Sequence, residues 1–132
     1  MIINVASDKE KVKSMAKLIK EREDFVKTID HEKFSTNAAE NYYEIIKELA
    51  SALILLDGKK AVGDNAHKDL VDYLINYKDF SSGEIIFIND LRIKRNNSSY
   101  DGKKIENIYL KNHKNEILAI IKKLKEMIEN RV

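Results

Sequence analysis

The sequence contains no proline and no cysteine. Without proline, no residue removes a backbone donor from a helix or clashes with its preceding turn, so long uninterrupted helices are allowed. Without cysteine, disulfides and thiolate metal sites are excluded. Histidine is limited to His31, His67 and His113. These lie far apart and form no pair at helical spacing, so neither a zinc site nor any other cofactor is expected. Net charge is also small, at +2. That creates no strong field for nucleic acid or a membrane surface, so a nucleic-acid role has to come from local clustering.

Long apolar runs are missing too. The longest is Ala50–Leu56, interrupted by Ser51, far short of the roughly 20 residues that a membrane span needs. The opening MIINVASDKEKVK lacks the basic start and apolar stretch of a signal peptide, so the expected compartment is the cytoplasm. Arginine is scarce: four arginines stand against twenty lysines. An ordinary solvated charge in this chain is a lysine, and each arginine is correspondingly informative.

What is present fits one helical domain. A chain of 132 residues, 43% hydrophobic, can bury one core and leaves little room for two, so the domain is expected to span residues 1–132. Five helical segments are readable. The first covers about Asp8 to Ile29, with Ser7 and Glu10 as a capping box and an apolar stripe from Val12 to Ile29 that includes Leu18 and Phe25. The second covers about Asn37 to Asp57. Ser35, Thr36 and Asn37 are candidate caps, and Gly58 is a left-handed stop. It is apolar nearly all round, which predicts a central, buried helix.

A Lys-Lys-Ala-Val-Gly turn follows, and Asp64 looks like the cap of a third helix reaching about Tyr77. The fourth starts after Ser81 and Ser82. Ile85–Ile88 could equally begin a strand, but the polar continuation and the lack of a partner strand favour a helix ending near the Asn-Asn-Ser-Ser run, with Asp101-Gly102 as the turn. The last covers about Ile105 to Asn130, with Ile108, Ile117, Ile121, Leu124 and Ile128 facing the core. The expected fold is all-α, an up-and-down bundle of four to five helices.

The stretch from Asn89 to Gly102 carries the chemistry. Arg92 and Arg95 are three apart, so on a helix they point roughly 60° from each other. Asn96 is close to Arg92, Asn89 sits one turn earlier, and Ile88 and Leu91 anchor the other side. Guanidinium groups suit phosphate and carboxylate bidentately. The plainer account is that Arg92 and Arg95 pair with Asp90, Glu84 or acids of the last helix, as solvated faces often do. His67 reads first as a surface or packing histidine, and Tyr42 and Tyr43 read as core. Glu40 and Glu44 lack the Glu-x-x-His partner of a di-iron site.

The segment resembles the signature of the HEPN superfamily, the higher eukaryote and prokaryote nucleotide-binding domain. That signature is an Arg, usually followed by Asn, then a short variable stretch and a His. Arg95-Asn96 matches its first half, and Tyr100 stands where the His would fall. Ala52–Lys59, the Asp64–Leu74 segment with His67, and Asp90-Leu91-Arg92 resemble the flanking parts, so the match covers about Asn37 to the C-terminus.

The resemblance implies a helical bundle that pairs as a homodimer across this edge and acts on RNA, as a metal-independent ribonuclease or a non-cutting RNA-binding relative. It implies Arg95 on phosphate, Asn96 orienting, Tyr100 in the proton-donor position, and Arg92, Asn89 and His67 supporting. It also implies a small nucleotidyltransferase as a partner. A tyrosine hydroxyl titrates near 10, against about 6.5 for histidine, so tyrosine at that position is a donor and a poor base. Losing a general base typically costs about 10²–10⁴ in rate. The alternative is a non-catalytic interaction or scaffold module using the same edge as an interface.

Overall fold

A computed structural model describes all 132 residues. Five helices are present: α1 (Lys9–Thr28), α2 (Ser35–Leu56), α3 (Ala66–Tyr73), α4 (Ser82–Asp101) and α5 (Asn107–Glu129). A single 3₁₀ turn, Leu74–Asn76, follows α3. The fold is an all-α bundle, and none of its helices is long and apolar enough to cross a membrane. As its all-round apolarity predicts, α2 is central: it touches all four other helices and carries 13 buried residues.

A small sheet joins the bundle where only a turn was expected. β1 (Ile2–Asn4) pairs antiparallel with β2 (Lys59–Ala61), with Ile2 opposite Ala61. Three-residue strands are too short to show a period-two pattern, and their partners lie far apart in sequence. Gly58 stops α2 in the left-handed conformation (φ 69°). Its carbonyl then accepts from the Val5 amide at 2.8 Å, extending the pairing.

Several caps differ from expectation. Asp8, not Ser7, caps α1, accepting from the Lys11 amide at 2.9 Å. The Ser7 hydroxyl instead donates to the Leu56 carbonyl at 2.9 Å, satisfying an orphan group at the end of α2. Ser35 and Thr36 do not cap α2 either. Ser35 Oγ donates to the Ile105 carbonyl at 2.7 Å, and the Ile105 amide donates to Thr36 Oγ1 at 2.9 Å. These bonds pin the connection before α5 to the start of α2. Asp64 lies outside α3, whose cap position is Asn65.

The Ile85–Ile88 run is helical, and α4 starts with a reciprocal capping box between Ser81 and Glu84. The Asn-Asn-Ser-Ser run does not end α4, which continues to Asp101 and stops at Gly102 (φ 67°). Serine competes with the helix backbone when it has no better partner. Here Ser99 Oγ donates to Glu40 Oε2 of α2 at 3.1 Å, and Ser98 Oγ sits between the same carboxylate oxygen at 3.0 Å and the Arg95 carbonyl of its own helix at 2.8 Å, so the last turn is tied to α2. Three apolar residues expected inside are outside: Leu18, Phe25 and Ile108 are each more than half exposed.

Candidate functional site

The 60° between Arg92 and Arg95 sends them to different neighbours. Arg95 turns toward α2, where its Nη2 lies 3.3 Å from Glu44 Oε1. Both side chains are half-buried, and Glu44 Oε2 also pairs with Lys47 at 2.7 Å. The acids proposed from sequence are engaged elsewhere: Glu84 with Lys123 and Asp90 with the Tyr109 hydroxyl. Glu40 and Glu44, one turn apart on α2, therefore hold the last turns of α4 against the core.

Arg92 turns toward α3. Its Nε donates to Asn89 Oδ1 at 3.0 Å, and Asn89 Nδ2 donates to Asp72 Oδ1 at 2.8 Å. This relay fixes the guanidinium while leaving its terminal nitrogens without an ion pair. Lys68, then the Asn89 amide and the nearby Arg92, hold the Asp72 carboxyl below the usual carboxylate range. Asn89 thus links the Arg92 guanidinium to Asp72 of α3.

Arg92, Asn96 and Tyr100 follow one another at i, i+4 and i+8 and form one wall of an open polar cleft of about 340 Å³. The opposite wall is the start of α3 with the residues before it, Gly63 to Lys68, and it includes His67. Tyr100 is 78% exposed and lies on the helix, not in an unwound end. Four of the six residues singled out in the sequence line this cleft, and Asn89 supports it from behind. Arg95 is not among the lining residues.

His67 sits in an electropositive place. Desolvation on one side, then Lys47, and more weakly Arg95 and Arg92, push its imidazole below the ordinary histidine range, while Glu44 opposes them. These influences together favour the neutral imidazole. The other two histidines are structural: His31 Nε2 contacts the Val26 carbonyl at 3.0 Å, and His113 stacks on Tyr109 and Phe87.

Behind the site lies Tyr43, fully buried with no hydrogen-bond partner for its hydroxyl. Burial raises its phenol to about 12, and Arg92 and Arg95 pull the other way. A buried hydroxyl without a partner typically costs about 1–3 kcal/mol. Sequence reasoning placed Tyr43 in the core and had no signal for this orphan group. No three carboxylates or imidazoles gather where they could hold a metal ion. Protein-family models, curated proteins and solved structures gave no match to the chain.

Proposed function

We propose that the protein is an RNA-directed, HEPN-like protein that binds backbone phosphate in the cleft between α3 and α4. One observation carries the reading: Arg92, fixed through Nε and otherwise unpaired, shares a cleft with Asn96, Tyr100 and His67. A guanidinium held by one nitrogen keeps its terminal N–H fork for phosphate oxygens. The phosphate role that the resemblance gives to Arg95 falls to Arg92, because Arg95 is engaged by Glu44. Any metal-independent cleavage would use a neutral imidazole to take the 2′-hydroxyl proton as the 2′-oxygen attacks phosphorus, and the tyrosine hydroxyl to protonate the 5′-oxygen as its bond to phosphorus breaks, leaving a 2′,3′-cyclic phosphate. His67 and Tyr100 supply those groups.

The test is binding of a labelled single-stranded RNA by wild type, Arg92→Ala and Arg95→Ala. Arg92→Ala is expected to weaken binding by about 10- to 100-fold, the worth of a charged hydrogen-bond pair. Arg95→Ala should lower thermal stability and leave affinity nearly intact. RNA binding that is absent, or indifferent to Arg92, overturns the reading.

A homodimer is the second element of the proposal. Ile86, Ile93 and Tyr100 are large, exposed, and spaced seven apart along α4. A seven-residue repeat lays one apolar seam down a helix, the form that helix pairing takes. Tyr100 belongs to both seam and cleft, so parallel pairing of two copies along α4 would set their clefts next to each other.

A further inference from the structure

A second cleft of about 330 Å³ opens on the other side of His67, and Ala66 and His67 line both. Lys11 of α1, Lys47 of α2, and Lys59 and Lys60 of β2 surround it, with Met15 and Leu55 contributing apolar surface. No carboxylate lines it. Together the two clefts present six cationic side chains and one acid, Asp64, in a chain whose net charge is only +2. The local clustering that a nucleic-acid role requires is therefore present, and tertiary structure assembles it from five separate segments.

The cations are not equally free. Lys47 is paired with Glu44, and Lys59 Nζ donates to Asn4. Lys11 and Lys60 are exposed and have no ion pair within the chain. Unpaired cations beside apolar surface suit one kind of ligand well. Single-stranded nucleic acid offers a phosphate to the charge and a flat base face to the apolar patch. A free mononucleotide would fill one cleft and leave the other empty.

We propose that the lysine-lined cleft is a second nucleotide subsite, so that the ligand is a single-stranded RNA segment of at least two nucleotides crossing His67. This rests on the RNA reading above. One phosphate sits at Arg92, and the next nucleotide lies over Met15 and Leu55 with its phosphate at Lys11 and Lys60. The imidazole at the joint faces the ribose between them, where it can hydrogen-bond a 2′-hydroxyl, the group that separates RNA from DNA.

The experiment measures binding of the full chain, at fixed low salt, to uridine monophosphate, a uridine tetranucleotide, its DNA counterpart and hexaglutamate. The proteins are wild type, Arg92→Ala and the double variant Lys11→Glu/Lys60→Glu, each checked for helicity. The tetranucleotide is expected to bind at least tenfold more tightly than the monophosphate. The double variant should cancel that gain and leave the monophosphate affinity in place. Equal affinity for the two RNA ligands, or a double variant that still prefers the tetranucleotide, overturns the second subsite even where Arg92→Ala weakens both ligands. DNA bound as tightly as RNA overturns the role of the 2′-hydroxyl, and hexaglutamate bound as tightly overturns the nucleotide assignment. If Arg92→Ala changes nothing while the length preference survives, it is the Arg92 reading that fails.

Discussion

Arg92 and Arg95 are chemically identical and three residues apart, yet one faces a cleft and the other an ion pair. Their difference comes from the 100° turn per residue of α4 and from which helix happens to lie beside each. His67 gains its character in the same way, from desolvation by its neighbours first and then from Lys47, Arg95 and Arg92 contributed by other elements. Its depressed folded value means that the unfolded chain takes up a proton more readily. Above the ordinary histidine value of about 6.5 neither state is protonated and His67 carries no penalty; as pH falls through that value, the folded state loses stability relative to the unfolded. Phosphate in the cleft reverses the preference by favouring imidazolium. Proton NMR titration of His67 should therefore give a midpoint below 6.5 in the free protein and a higher one with RNA bound. A midpoint that RNA leaves unmoved would place the phosphate elsewhere.

At the scale of elements, the glycines that end helices differ in what they must tolerate. Both Gly58 and Gly102 are left-handed. At Gly102 a methyl group would meet nothing within 4 Å, whereas at Gly58 it would come within 2.8 Å of the Val5 carbonyl oxygen. Gly102→Ala should cost about 1–2 kcal/mol, the ordinary penalty of a left-handed alanine. Gly58→Ala should cost clearly more, because it must also displace the backbone that leads out of β1. Denaturant unfolding of both variants checks the order. An equal loss would mean that the junction of β1 with the end of α2 yields freely. The same junction holds Lys59 and Lys60 beside the second cleft, so Gly58→Ala is also expected to weaken binding of long RNA more than Gly102→Ala does.

For the whole molecule, the open question is what covers the exposed seam on α4. Two copies paired along Ile86, Ile93 and Tyr100 would bury apolar surface now in water, worth about 25 cal/mol per Å² before the costs of association. Light scattering is expected to give a dimer for wild type and a monomer for Ile93→Asp, with helicity unchanged. Ile93 lines neither cleft, so a loss of RNA affinity in that monomer would show that binding needs both copies. A wild-type monomer would remove the dimer from the proposal and leave the single-chain clefts standing.

Much of the fold was legible because helices are local. The absence of proline, the apolar periodicity and the Gly58 stop are each readable within a few residues, and α2 announced its central place by being apolar nearly all round. The caps at Ser7, Ser35 and Thr36 were misread because those hydroxyls bond to backbone 49 to 70 residues away. The β1–β2 pair escaped notice for the same reason. Of the site, the sequence determined the residue types and put Arg92 and Asn96 on one side, while Tyr100 joined them because α4 runs past the Asn-Asn-Ser-Ser run to Asp101. Only the tertiary structure decided that Glu44 takes Arg95, that His67 joins the other three, and that lysines from three segments gather beside it. Those outcomes depend on which elements pack together, and no local pattern in the chain encodes that.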